Sequence, residues 1–419
     1  MRTRVRLLVL LLVSTLPVMT GAVLSPALPA LRSAFGAGAE AWSRWVLTTP
    51  ALFVALGAPL AGGLTDRVGR RPVLIASLAL FGVAGSVGGV LGTLPAIVVS
   101  RAVLGLAAGG VGTVATTLIV DYYDEGQSRV LGGQAAVMAI AAMTYTVVGG
   151  ALAGLSWRAP FGVYLLGLLV AGPAAFLLPE PEPSSAAATG TDSEREGVPW
   201  GRVGLLYGLA FAGLAVFNLV RVELPYYLRA MGLRSGVWIA AVLSAGTVSG
   251  AGASLAYDRV RSRLGTGGTF ALLLGLFAGG FGVVAGAASP AVVVGGVVLA
   301  GGGMGLFVPA LTDGIGRGAP ASARGRLLGG LSTLRNLGRF SSPLLAQPAV
   351  VGPGAAAPFV GGALLTGGLS AAVLLWGAVR LVRSTSVPCG AIVPPGPHVA
   401  VDGTGPVRPG PARSAPCFP

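Results

Sequence analysis

The chain has 419 residues, of which 53% are hydrophobic and only 10% charged, with a mean hydropathy of +0.81 and a formal net charge of +14. Ordinary soluble domains carry about 25% charged residues, so this composition excludes a soluble enzyme or binding domain and points to a chain that lives in a bilayer. The basic excess fits loops that face anionic headgroups, and no nucleic-acid partner is needed to explain it.

Twelve apolar runs, each long enough to cross a hydrocarbon core about 30 Å thick, follow one another along the sequence. They fall near 7–31, 43–64, 72–92, 96–120, 130–152, 160–179, 201–224, 237–257, 268–288, 290–313, 326–350 and 357–381. Without water to satisfy backbone groups such runs must be helices, and their length and lack of alternation exclude barrel strands. The expected fold is therefore all-α and integral to the membrane. The opening MRTRVRLLVLLLV has the basic start and apolar core of a signal peptide, but it runs on past the usual length and eleven more spans follow, so it reads as span one. The 69 glycines suit a bundle in which helix backbones approach closely.

Orientation follows from arginine alone, because the chain has no lysine. An even number of spans puts both termini on one side. That side holds Arg2, Arg4, Arg6, Arg67, Arg70, Arg71, Arg129 and most of the later arginines through Arg413; the other holds only Arg32, Arg44, Arg158, Arg221, Arg229 and Arg234. The positive-inside rule places both termini in the cytoplasm, in a multi-pass protein of the cytoplasmic membrane.

The Pro-, Ser- and acid-rich stretch within 179–200 reads as a cytoplasmic linker between an N-terminal six-helix bundle, 1–178, and a C-terminal one, 201–383. The Pro/Gly-rich tail, 384–419, is expected to be disordered. It holds the only histidine, His398, and the only cysteines, Cys389 and Cys417, at a spacing that fits no zinc signature, so neither metal nor cofactor is expected.

The halves look duplicated. Asp66-Arg67 after span two is echoed by Asp258-Arg259 after span eight; RVLGG from Arg129 by RLLGG from Arg326; Ala159-Pro160-Phe161 by Ala357-Pro358-Phe359. The offsets are 192, 197 and 198. Two parallel six-span repeats place a substrate site between them near the bilayer midplane.

Between spans two and three lies G-G-L-T-D-R-V-G-R-R, Gly62 to Arg71. It resembles the signature loop of the major facilitator superfamily, G-x-L-x-D-R-x-G-R-R, at the same place in the chain. Pro26-Ala27-Leu28-Pro29, Arg101 with Gly105 and Gly109, Trp157-Arg158 and Leu224-Pro225-Tyr226-Tyr227-Leu228 strengthen the resemblance, which covers about residues 7–383. It implies a monomeric secondary transporter of two pseudo-symmetric six-helix bundles, closest in appearance to bacterial twelve-span efflux members. It also implies a gating loop of Gly62, Asp66, Arg67, Gly69, Arg70 and Arg71, with a weaker copy at Asp258 and Arg259, and a pathway role for Arg101, Gly105 and Gly109.

Charge in the membrane gives the remaining candidates. Arg101, Arg335 and Arg339 fall inside spans, each costing at least about 2.5–3.5 kcal/mol at a helix centre unless it faces a cavity or a partner. Arg335 and Arg339 are four residues apart, on one helix face. Asn218 and Glu223 near the outer end of span seven complete the pathway set. No acid sits mid-span, and span five has Tyr145-Thr146 where the antiporter pattern has Gly-Pro. A pathway richer in arginine than in carboxylate attracts anionic or neutral solutes. The expected function is movement of a small amphiphilic or anionic organic molecule by alternating access, as efflux coupled to protons. Uptake of an organic anion and a transport-dead sensor are the alternatives. No span pairs a nucleophile with a base, so an enzyme is not expected.

Overall fold

The structure is a computed structural model that describes residues 2–36, 39–123, 127–180, 198–350, 354 and 356–385. The helices are α1 (Arg2–Ala22), α2 (Leu28–Phe35), α3 (Ala39–Val68), α4 (Arg70–Val87), α5 (Leu94–Tyr122), α6 (Gln127–Leu155), α7 (Leu166–Leu177), α8 (Trp200–Ala230), α9 (Gly236–Leu255), α10 (Tyr257–Ala285), α11 (Pro290–Gly318), α12 (Ala321–Val350) and α13 (Ala357–Thr385). There is no strand among the described residues. Among the described residues eleven helices are long and apolar enough to cross a membrane, and α12, which carries Arg324, Arg326, Arg335 and Arg339, is a further helix of similar length. Residues 1–376 pack as one body; 377–419 form a separate unit, described only for the end of α13. His398, Cys389, Cys417 and most of the linker, 181–197, lie outside the described residues.

Proline sets the two interrupted spans. Pro26 and Pro29 cannot donate to preceding carbonyls, and span one breaks at a 3-10 turn over Ser25–Ala27 between α1 and α2. Span six likewise opens as a 3-10 helix, Ala159–Leu165, before α7.

The duplication read from the sequence is repeated in the packing. In the first half α5 packs against α3 and α4, and α1 against α6; in the second α11 packs against α9 and α10, and α8 against α12. The buried apolar side chains form two clusters, one drawn from residues 9–178 plus Val222 and one from 203–359. The halves meet through α6 on α9 and α3 on α12.

Close approach within each half depends on paired glycines. A Cβ on Gly105 would lie 2.8 Å from the Phe53 Cβ, and one on Gly109 would lie 2.7 Å from the Val54 carbonyl oxygen, so α5 rests directly on the α3 backbone. Gly301 and Gly305 of α11, 196 residues further on, meet the backbones of Gly246 and Gly250 in α9 in the same way. Gly105→Leu should therefore lower the thermal stability of the detergent-purified protein, an overpacking cost of about 1–3 kcal/mol or more. Gly62→Leu, at a position with nothing within 4 Å, should leave it unchanged. Equal melting of the two variants would refute this role for the α3–α5 contact.

Candidate functional site

A cavity of about 670 Å³ lies between the halves. Its first-half wall comes from α1, α3 and α6 and carries no charge: Thr20, Thr48 and Thr146 are its polar side chains beside the turn residue Ser25, and the rest is apolar, including Leu47, Val54 and Met138. The second-half wall holds Arg221 and Asn218 from α8, Arg335, Asn336 and Arg339 from α12, and apolar groups such as Phe217, Leu243 and Met304. None of the lining residues is acidic.

Three cations thus share one cavity without a counter-charge. Arg335 and Arg339 stand one turn apart on α12, and Arg339 is repelled by both Arg335 and Arg221. The Arg339 guanidinium donates to Asn336 Oδ1 at 3.4 Å, and Asn336 Nδ2 in turn donates to the Ser332 carbonyl at 3.1 Å. Asn218 Nδ2 donates to the Arg339 carbonyl at 3.1 Å and to Ser342 Oγ at 2.8 Å, which ties α8 to α12. Arg335 Nε is buried with no hydrogen-bond partner among the described residues.

Beyond one end of the cavity, opposite the Gly62–Arg71 loop, side chains of the two halves join and close it off. There Arg44 of α3 and Glu223 of α8, respectively 5% and 4% exposed, form a bidentate pair across the halves, Nε to Oε1 at 2.6 Å and Nη2 to Oε2 at 3.0 Å. Beside it Ser43 Oγ and the Tyr226 hydroxyl are 2.8 Å apart, and the Trp45 and Phe340 rings lie 5.0 Å centre to centre. Ser25 Oγ donates to the Arg221 carbonyl at 2.5 Å. That carbonyl is free because its helical partner would be the N–H of residue 225, which is proline.

At the other end the signature loop is tied within its own half. Asp66 and Arg67 finish α3 as exposed residues, and Asp66 makes no ion pair among the described residues. Gly69 turns the chain with φ 97°, a conformation only glycine adopts freely. The Arg70 and Arg71 N–H groups that open α4 donate to Glu180 Oε1 and Oε2 at 2.6 and 2.9 Å, and Arg70 pairs with Asp121 at the end of α5. In the second repeat Asp258 and Arg259 lie in the first turn of α10, the reversal comes later at Gly265 (φ 66°), and Arg261 pairs with Asp313 at 3.1 Å. Asp313 is 192 residues beyond Asp121, so the arginine–aspartate clamp is duplicated too. Gly62 faces open space.

The structure divides the expected pathway residues. Arg335, Arg339 and Asn218 come together in the cavity. Arg101, expected there, is not among its lining residues. It is fully buried against Phe161 and Tyr164, 5.0 and 4.7 Å from the ring centres, and donates to the Gly85 carbonyl. Gly105 and Gly109 act as backbone contacts on α3. Glu223 belongs to the closed end, in a buried pair, because α8 runs on to Ala230 and carries Leu224–Leu228 inside the helix rather than after it. Arg221, counted on the outer side from the sequence, lies in the cavity wall. Arg44, also counted there, is buried in α3. The 196-residue offset from Gly105 and Gly109 is the sequence signal for Gly301 and Gly305.

Two parallel six-span halves around a central cavity define a multi-pass membrane protein with the architecture of a secondary transporter. The chain belongs to the Major Facilitator Superfamily, whose family model matches residues 10–343. Its fold is similar to that of the inward-facing, unoccupied crystal structure of a bacterial homolog of the human lysosomal transporter Spinster, at TM-score 0.66 and 16% identity over 92% of this chain and 97% of that one. It is similar to the nucleoside transporter NupG (D323A mutant), at TM-score 0.68 and 12% identity over 88% and 99% of the two chains. The human organic anion transporter MFSD10 (TETRAN) matches at TM-score 0.63 and 21% identity, over 89% and 98%. Among curated protein sequences none matches the chain.

Proposed function

We propose that this chain is a secondary transporter that carries a small organic anion across the cytoplasmic membrane by alternating access. The observation that carries the reading is the cavity between the halves, which holds Arg221, Arg335 and Arg339 and no acid. Burying like charges together is costly unless a counter-charge arrives, and guanidinium stays protonated at any working pH. With the termini in the cytoplasm, as the arginine asymmetry argues, the Arg44–Glu223 end faces outward and the conformation is inward-facing.

Export is the favoured direction. An anion leaving a cell whose interior is negative gains about 2.3 kcal/mol per charge per 100 mV. The electrical part of the proton-motive force then drives export, and no titrating carboxylate is required in the cavity. Tyr145 and Thr146 in place of the antiporter Gly-Pro count against proton antiport and fit both this electrically driven export and the second reading, an uptake permease for an organic anion. Tyr145 is instead bonded to Thr15 Oγ1 at 2.8 Å, closing α6 onto α1.

Asp66 has no ion pair among the described residues, so its latch belongs to the opposite state, where the loop face closes. Asp66→Asn should abolish most flux of radiolabelled organic anions in proteoliposomes of either orientation while yield and thermal stability stay unchanged. Wild-type flux from the variant would refute the latch; cation flux in place of anion flux would refute the substrate class.

A further inference from the structure

We infer that the transported molecule is amphiphilic and doubly charged: a dianionic head held by Arg335, Arg339 and Arg221, and an apolar body laid against the uncharged first-half wall. The inference rests on the organic-anion reading and narrows it.

The charge requirement follows from the grouping. Side chains one turn apart on a helix are about 5–6 Å apart at their Cβ atoms, so Arg335 and Arg339 can be bridged by a single head with several acceptor oxygens. Arg221 approaches from α8, which packs on α12. Its Nη1 reaches across the interface to within 3.5 Å of where a Cβ on Gly21 of α1 would stand. A monoanion neutralises one of the three cations that line the cavity and leaves two; a dianion leaves one. Arg335 Nε, buried without an acceptor, is a further donor that a multi-oxygen head can satisfy.

The apolar body follows from the asymmetry of the walls. Every charge is on the second half, while the first half offers Val18, Leu47, Val54 and Met138 with a few threonine hydroxyls. A fully hydrated inorganic anion would leave that wall unmatched, and at about 670 Å³ the cavity has the size of sites that enclose drug-like molecules. Recognition is therefore split: the second half reads charge and the first half reads the body. A ligand of this kind touches both halves at once, as a substrate that couples their movement must.

Four probes decide the matter by calorimetric titration of the purified full chain at pH 7.5: phenyl phosphate, benzoate, inorganic phosphate and phenyltrimethylammonium. Phenyl phosphate, a dianion at this pH, should bind at least about tenfold tighter than benzoate and about tenfold tighter than inorganic phosphate. Arg339→Ala should bring the phenyl phosphate to benzoate ratio close to one, and Arg339→Lys should keep part of it, which separates charge recognition from misfolding. Equal binding of phenyl phosphate and benzoate, or a ratio untouched by Arg339→Ala, would overturn the dianion while leaving an anion transporter in place. Inorganic phosphate as tight as phenyl phosphate would overturn the apolar body. Preference for phenyltrimethylammonium would overturn the organic-anion function itself. Binding of none of the four would overturn the split-recognition site.

Discussion

Arg44→Ala should open the closed face. Removing one member of a buried ion pair leaves the other charge desolvated and unpaired, at a cost of about 3–5 kcal/mol. Because Arg44 and Glu223 sit on different halves, that cost falls on the closed state and not on either half's own fold. Each 1.4 kcal/mol is tenfold in an equilibrium constant, so the population shifts by an order of magnitude or more. A cavity cysteine made by Thr48→Cys, in a chain with Cys389→Ser and Cys417→Ser, reports on this through an impermeant maleimide added from the face opposite the loop. Labelling should accelerate at least about tenfold in Arg44→Ala. The double variant Arg44→Leu/Glu223→Leu removes both charges and keeps an apolar seam beside Trp45 and Phe340, so its labelling should fall back toward the parent. Parent-like labelling in the single variant would show that the remaining contacts, Ser43 with Tyr226 and Ser25 with the Arg221 carbonyl, hold this face closed unaided.

Hydropathy was enough for the helical spans, because it depends on composition along one helix, and the signature loop with the offsets near 192–198 was enough for two related halves, because each is a local run of residues repeated in order. Where a span ends was less legible. The charges of Arg221 and Glu223 break the apolar run of α8, and a one-dimensional reading ends the helix there. In the folded chain Glu223 finds Arg44 and Arg221 finds the cavity, so the helix continues through both. A tertiary partner on another half leaves no mark on local hydropathy. The glycine pairs show the opposite case: Gly105 and Gly109 have copies at Gly301 and Gly305, 196 residues on, and the shared spacing points to helix packing rather than to a pathway. Rotation about the helix axis decides whether an intramembrane arginine meets a cavity or a packed ring, and α5, apolar all round, gives no sequence cue to it.

Arg101 is where that rotation matters most for experiment. Arg101→Ala should destabilise the protein severely and change ligand recognition little, the reverse of Arg339→Ala. Its guanidinium bonds to the Gly85 carbonyl and also reaches that of Ala84, at 3.3 Å, both at the end of α4. Two aromatic faces from the opening of span six complete its surroundings. Loss of hydrogen bonds to a charged group costs about 1.5–3 kcal/mol. Loss of a desolvated cation–π contact adds about 2 kcal/mol, before the void left by one of the largest fully buried side chains is counted. The site cannot refill easily. A Cβ on Gly88 would overlap the Phe161 ring and stand 3.1 Å from the Arg101 Nη2, so the corner is already filled on that side. Arg101→Lys keeps the charge but reaches the carbonyls with a single ammonium, and should recover only part of the stability. The measurements are the melting temperature in detergent and, on whatever fraction remains folded, the ratio of phenyl phosphate to benzoate affinity. A large fall in melting temperature with the ratio preserved is expected. A normal melting temperature with a collapsed ratio would move Arg101 back into the substrate path, and would mean that α5 turns about its axis when the cavity changes face.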